Sequence, residues 1–233
     1  MKSIVGQSLM EVLDHLKKKN LNLGIHIIMD RELAIEKVKG FVPEYKWEQV
    51  AKKELLHFLE HKDNASYHPV ADAIALGLKD VSAFLILSGC DVDEIDDCCW
   101  SPLMHAIERG YKDIFYLLLE KGAYIHYWAT EQEQCPLGVA AGNGQTDMFF
   151  ELVKRGVQLD VEYYDKSIGL TWRCSKEDLL CEAIGSRDEK IAQYLIEQGC
   201  DLNSRLLPNR ENIREFAKRE KALEFLEQVE RNK

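Results

Sequence analysis

Residues 101–124, SPLMHAIERGYKDIFYLLLEKGAY, contain two short helical patterns that a glycine separates and a second glycine ends. In both patterns apolar residues recur at intervals of three and four, which places them on one helical face. They are Leu103, Ala106 and Ile107 before Gly110, and Ile114, Leu117 and Leu118 after it. Neither helix can bury such a face alone. The stretch therefore predicts a helix pair that packs against similar pairs.

Similar pairs are present, because a proline and two glycines recur together along the chain. Pro69, Pro102 and Pro136 lie 33 and 34 residues apart (102 − 69 and 136 − 102), and two sets of glycines keep the same spacing. These sets are Gly77, Gly110 and Gly144, and Gly89, Gly122 and Gly156. A fourth copy at 179–203 lacks the proline, and roughly ten extra residues precede it. A period near 33 residues is typical of a repeated helix pair closed by a turn.

Four segments carry a resemblance to the ankyrin repeat pattern TPLHxAAxxGxxxIVxxLLxxGAxVN. They are HPVADAIALGLKDVSAFLILSGCDVD, SPLMHAIERGYKDIFYLLLEKGA, CPLGVAAGNGQTDMFFELVKRGV and DLLCEAIGSRDEKIAQYLIEQGCDLN, within residues 67–204. The resemblance implies an all-α ankyrin-repeat solenoid of about four repeats. Ser101 stands for the family's threonine, and Met104 for its histidine, with His105 one place later. The polar tie that these residues supply between repeats in the family is therefore not predicted here.

The two ends of the chain do not fit the repeat. Residues 1–66 contain apolar residues at helical spacing and predict a helical N-terminal cap or small non-repeat region. Residues 205–233 predict a helical C-terminal cap by the same criterion. Repeat arrays need terminal units with a polar outer face, since the last apolar face would otherwise meet water.

Composition restricts the partners and the compartment. The net charge is −10, which repels nucleic acid and anionic membranes and favours a basic protein partner. The start of the sequence shows no secretion signal, and no apolar run is long enough to span a membrane. The seven cysteines are odd in number and include no C-x-x-C pair, so neither a disulfide framework nor a structural zinc site is expected. The sequence predicts a cytoplasmic protein that is a monomer when free.

Candidate catalytic and metal-binding patterns are incomplete. His57 and His61 lie one helical turn apart beside Glu60, but no third metal ligand follows at a useful spacing. The run AAGNG at 140–144 lacks the lysine and hydroxyl residue of a phosphate-binding loop. We therefore expect no enzyme activity, no metal and no cofactor. An alternative hypothesis places an active site in residues 1–66, where His26 and Asp30 would join the histidines at 57 and 61.

The resemblance implies that partners bind to the finger loops between repeats and to the inner ends of the first helices. The inner positions are Ala75, Leu76, Glu108, Arg109, Gly142 and Asn143. The fingers are rich in carboxylates and large aromatic side chains, which suit steering and anchoring respectively. The predicted partner-binding residues in them are Asp93, Glu94, Asp96, Asp97, Trp100, Tyr127, Trp128, Glu131, Glu133, Tyr163, Tyr164, Asp165 and Trp172. As an alternative for two of them, Trp100 and Trp172 fold back onto the helix ends.

The leading hypothesis is a non-enzymatic interaction module that binds and inhibits a partner protein. An immunity protein that neutralises a toxin is one concrete version. A scaffold or effector adaptor is the alternative within the same class, and the enzyme with an N-terminal active site is the alternative from another class.

Overall fold

A computed structural model describes residues 68–87, 90–127, 134–165, 170–203 and 211–231. The predicted N-terminal cap lies outside the described residues, as do Trp128, Glu131 and Glu133. Contacts divide the chain into two compact units, Met1–Arg109 with Tyr116–Ala123, and Gly110–Phe115 with Tyr124–Lys233. Within the described ranges, no helix is both long and apolar enough to cross a membrane.

The described ranges contain five successive pairs of short helices. They are α1 (Pro69–Ala75) and α2 (Lys79–Leu87), α3 (Pro102–Glu108) and α4 (Lys112–Glu120), α5 (Pro136–Gly142) and α6 (Thr146–Lys154), α7 (Lys176–Ser186) and α8 (Glu189–Glu197), and α9 (Ile213–Arg219) and α10 (Leu223–Arg231). The repeated prolines open α1, α3 and α5. Proline suits the first helical turn, because its fixed φ matches the helix and its missing N–H would have had no intrahelical partner.

Serine caps the start of α3 and of α7. The Ser101 hydroxyl accepts a hydrogen bond from the backbone N–H of Met104 over 3.3 Å. Ser175 accepts from the N–H of Asp178, whose carboxylate accepts from the N–H of Ser175 in return. These bonds satisfy helix donors that have no partner within the helix. The serine at position 101 thus has a local role that does not need a neighbouring repeat.

A left-handed residue ends the first helix in each of several pairs. Gly110 adopts a φ of +67°, and an added Cβ atom would lie 2.9 Å from Nε2 of Gln145. Both the backbone conformation and the lack of space therefore favour glycine. Arg187 occupies the corresponding place after α7 with a φ of 59°, so the fourth pair keeps the turn without the glycine.

The apolar faces predicted from the sequence form the core. In the first unit α1 packs against both α2 and α3. The six predicted residues are at most 2% exposed: Leu103, Ala106, Ile107, Ile114, Leu117 and Leu118. Burying one such leucine or isoleucine contributes about 1.5–3 kcal/mol to the free energy of folding. The buried face of each helix is therefore the main source of stability, as its spacing indicated.

Successive helix pairs pack on one another in the second unit. Helix α5 contacts α6 and α7, α7 contacts α8 and α9, and α8 contacts α6 and α10. The rings of Phe150 on α6 and Tyr194 on α8 meet edge to face, with centroids 5.3 Å apart. Residues 213–231 thus supply a further helix pair against α7 and α8. The assignment of four repeats and of a C-terminal cap stays a prediction.

The inserted finger adds a short pair of strands to the predominantly helical fold. It forms a two-stranded antiparallel hairpin from β1 (Val161–Asp165) and β2 (Leu170–Cys174), with Val161 opposite Cys174. The strands read VEYYD and LTWRC, and such β-branched and aromatic residues favour extended backbone. The predicted all-α repeat class is confirmed, since the described chain is predominantly helical and these two strands are its only ones.

Deleting residues 163–173 should leave a folded protein. The two strands pair with each other, and Val161 lies opposite Cys174, so the chain ends left by the deletion, Glu162 and Cys174, are close together. We expect cooperative thermal unfolding by circular dichroism with little change in melting temperature. As a control of equal length, deletion of 176–186, which form α7, should abolish cooperative unfolding. If both deletions abolish it, the hairpin is structurally essential.

Candidate protein-binding surfaces

Asp96 organises the finger between α2 and α3. Its Oδ1 atom accepts hydrogen bonds from the backbone N–H groups of Cys98, over 2.9 Å, and Trp100, over 2.8 Å. Its Oδ2 atom lies 2.7 Å from Nε2 of His105 on α3. The side chain of Asp96 is only 10% exposed as a result. One carboxylate therefore holds the loop in shape and attaches it to the following helix.

The hydrogen bonds of Asp96 give it a structural role inside the finger. A direct ion pair between this carboxylate and a partner would have to replace those hydrogen bonds. His105 takes part in a polar tie through Asp96, although the family's histidine position holds Met104. Trp100 is half-buried, and its ring lies 5.3 Å from that of His105 between centroids. Trp100 thus folds back towards α3, the alternative considered from the sequence.

Three other carboxylates of this finger face solvent. Asp91, Asp93 and Asp97 are exposed, and the Asp97 side chain is 89% exposed. The backbone N–H of Asp93 donates to Oδ1 of Asp91 over 2.9 Å, which supports the tip of the loop. Glu94 is half-buried, with one carboxylate oxygen out of contact with solvent. We call Asp91, Asp93 and Asp97 the acidic finger.

The inner helix ends of the first unit combine an apolar and a charged group. Leu76 is 67% exposed, the largest exposed fraction among the large apolar side chains of the described residues. Glu108 is exposed, and the Arg109 guanidinium donates a hydrogen bond to the carbonyl oxygen of Ala75. Arg109 therefore ties α3 to α1 while its side chain remains accessible. The ankyrin resemblance predicts that these residues are inner positions, and this assignment stays a prediction.

In the second unit the predicted partner residues fall into three places. Asn143 is exposed after α5, where its side-chain amide donates to the carbonyl oxygen of Val139 over 2.9 Å. Tyr127 is half-buried at the start of the second finger, three residues after the exposed Tyr124. The hairpin pairs the remaining predicted residues in register, with Tyr163 opposite Trp172, Tyr164 opposite Thr171 and Asp165 opposite Leu170.

The sequence interpretation missed a pair of cysteines in the second unit. The sulfurs of Cys135 and Cys174 lie 3.6 Å apart, although 39 residues separate them. A hydrogen bond from Cys174 lowers the pKa of the Cys135 thiol, and that interaction together with burial raises the pKa of Cys174. The sequence does contain one indication of this contact, because each cysteine comes just before the first helix of two consecutive helix pairs. Counting cysteines and looking for C-x-x-C pairs does not reveal two cysteines at equivalent positions of neighbouring pairs.

Potential metal ligands are dispersed among the described residues. No three histidine, cysteine, aspartate or glutamate side chains among them are grouped so that they could hold a metal ion. The pair His57 and His61, with Glu60, lies outside the described residues. The alternative active site in 1–66 therefore stays untested.

Repeated pairs of short helices that pack on one another within each unit are typical of a helical-repeat interaction module. Residues 70–163 match the family model for ankyrin repeats in three copies, so this part of the chain carries ankyrin repeats. The match confirms the resemblance drawn from the repeated motifs. It does not extend to α7–α10, so the fourth repeat at 179–203 stays a prediction. No curated protein matches the chain.

Replacing Asp96 should destabilise the protein, whereas replacing its neighbour Asp97 should not. Asp96→Ala leaves two loop N–H groups and the His105 ring without their shared acceptor, which should cost about 2 kcal/mol of unfolding free energy. Asp97→Ala removes a side chain that is almost fully exposed. Urea denaturation of both variants measures the difference. Equal effects would contradict the assigned role of Asp96.

Proposed function

We propose that this ankyrin-repeat chain binds a partner protein with a basic surface and inhibits it. The observation that best supports this proposal is the acidic finger, in which three exposed carboxylates lie on a loop that Asp96 holds in place. A loop that is ordered before binding loses less conformational entropy when it docks. Ankyrin repeats supply the scaffold on which such loops are presented.

The charge of the chain indicates that its partner has a basic surface. The whole chain carries a net charge of −10, so its field attracts a basic surface from a distance and repels nucleic acid and anionic lipid. Asp93 and Asp97, with Glu131, Glu133 and Asp165 in the later fingers, steer the encounter and pair with lysine or arginine. Steering of this kind acts mainly on the association rate.

Apolar and aromatic side chains supply the binding energy after the encounter. In the first unit, Leu76 lies at the inner helix ends with Glu108 and offers exposed apolar area. In the second unit, we assign the anchoring role to aromatic residues of the fingers. They are Tyr127, Trp128, Tyr163, Tyr164 and Trp172. Aromatic side chains of this kind dominate the energetics of many protein interfaces.

Inhibition follows from where an acidic loop would bind. Enzymes that act on phosphates or nucleic acids carry basic active sites, and an ordered loop with three carboxylates can occupy such a site in place of the substrate. A toxin nuclease neutralised in the cytoplasm is one example of this class. The sequence pattern and the charge support this class without selecting a particular partner.

The decisive experiment combines capture with an activity assay. The full chain, immobilised, would capture partners from the native cytosol, and mass spectrometry would identify them. Increasing amounts of the chain would then be added to the purified partner while its activity is measured. Stoichiometric loss of activity supports inhibition. A partner that binds but keeps its full activity would indicate a scaffold instead.

The double substitution Tyr127→Ala with Trp128→Ala should weaken binding of the captured partner by about a hundredfold, the effect of losing two aromatic anchors. Thermal stability should change little, since Tyr127 is only half-buried and belongs to no helix. Tyr116→Ala on α4, another exposed aromatic residue, is the matched control and should retain affinity. A fall in melting temperature that parallels the loss of affinity would place the pair in the core.

Replacing Asp93 and Asp97 together by asparagine should slow association by about tenfold at low salt and leave dissociation nearly unchanged. The slope of association rate against salt should also become shallower, because fewer charges contribute to steering. Glu224→Gln with Glu227→Gln on α10 removes the same charge from exposed positions elsewhere and serves as the control. An association rate of the unaltered chain that does not respond to salt would remove the steering mechanism.

A further inference from the structure

The two cysteines of the second unit lie at a structural junction. Cys135 caps α5, where its sulfur accepts a hydrogen bond from the backbone N–H of Gly138 over 3.4 Å. Cys174 is the last residue of β2, directly before the serine that caps α7. Their sulfurs are 3.6 Å apart, and both are free thiols. The pair therefore joins the base of the hairpin to the start of the preceding helix pair.

Their mutual contact and their pKa values distinguish these two thiols from Cys90 and Cys200. Cys135 is half-buried as a whole residue, while Cys174 is 8% exposed, and the two sulfurs face each other. Because Cys174 lowers the pKa of Cys135, the latter has the greater share of reactive thiolate. Burial raises the pKa of Cys90 and of Cys200 to about 12, which makes both poor nucleophiles at neutral pH.

We propose that Cys135 and Cys174 form a reversible oxidation site, at which a peroxide converts the two thiols into a disulfide that locks the hairpin to α5. A disulfide needs sulfurs about 2 Å apart, so an approach of roughly 1.5 Å closes the bond. Side-chain rotation and a small movement of the strand end can supply this distance. The proposal concerns the fold and holds whether or not the acidic finger binds a partner.

The chemistry balances in two steps. The Cys135 thiolate attacks one oxygen of hydrogen peroxide, the O–O bond breaks, and hydroxide leaves and is protonated to water. The Cys174 sulfur, as its proton departs, then displaces water from the resulting sulfenic acid and forms the S–S bond. In total two thiols and one peroxide give one disulfide and two waters. Two electrons pass from the sulfurs to the peroxide, and a dithiol reductant returns them.

Closing this bond constrains the segment that contains α5, α6 and the hairpin. The cross-link closes a loop between positions 39 residues apart, which lowers the entropy of the unfolded chain. It also fixes the base of the hairpin relative to the cap of α5. Oxidation should therefore stabilise this part of the second unit and hold the inserted finger in one position.

Mass spectrometry can test the site directly on the full, reduced chain. Graded hydrogen peroxide is added, remaining thiols are blocked with N-ethylmaleimide, and the protein is digested without reductant. We expect the cross-linked peptides of Cys135 and Cys174 at lower peroxide than any product of Cys90 or Cys200, and loss of the cross-link with dithiothreitol. Cys135 that forms sulfinic acid or pairs with another cysteine while Cys174 stays reduced would overturn the proposal.

Thermal unfolding supplies the second readout. The oxidised chain should melt about 10 °C above the reduced chain, as expected for a disulfide that closes a loop of this size. Cys135→Ser should abolish this increase, and it should fold, because serine already caps α3 and α7. Cys98→Ser removes an exposed cysteine from the first unit and should keep the increase. An equal increase in the Cys135→Ser variant would exclude this disulfide as its cause.

Discussion

The constraint beneath this structure is that one short helix pair cannot bury its own apolar face. Helices of seven to eleven residues place their apolar side chains on one side, and that side is buried from solvent only when another pair covers it. Within the second unit α7 meets this requirement by packing against α5 on one side and α9 on the other. Stability is therefore shared between neighbours, and each pair contributes little by itself.

Because the helices account for stability, the loops between them can carry function at little cost to the core. The acidic finger illustrates the division of labour within one loop. Asp96 accepts hydrogen bonds that fix the shape of the loop, whereas the side chains of Asp93 and Asp97 are exposed to solvent. The inserted finger takes its shape in another way, from the pairing of its own two strands.

The candidate surface was only partly predictable from composition. Acids and aromatics in the fingers stand apart from the repeated pattern in the sequence, but composition does not separate their individual roles. Asp96 and Asp97 are adjacent in the sequence, yet one is 10% and the other 89% exposed. The difference comes from hydrogen bonds to Cys98, Trp100 and His105, which exist only once the loop has closed on α3.

The sequence alone determined the helix pairs, their buried faces and the turns at the recurring glycines, because each depends on residues only three or four positions apart or on a recurring period. Leu103, Ile107 and Gly110 needed no neighbour to be identified. The tertiary structure decided the hairpin register, the tie from Asp96 to His105 and the meeting of Cys135 with Cys174. Such contacts join positions that no local pattern relates, since packing of the intervening chain brings them together.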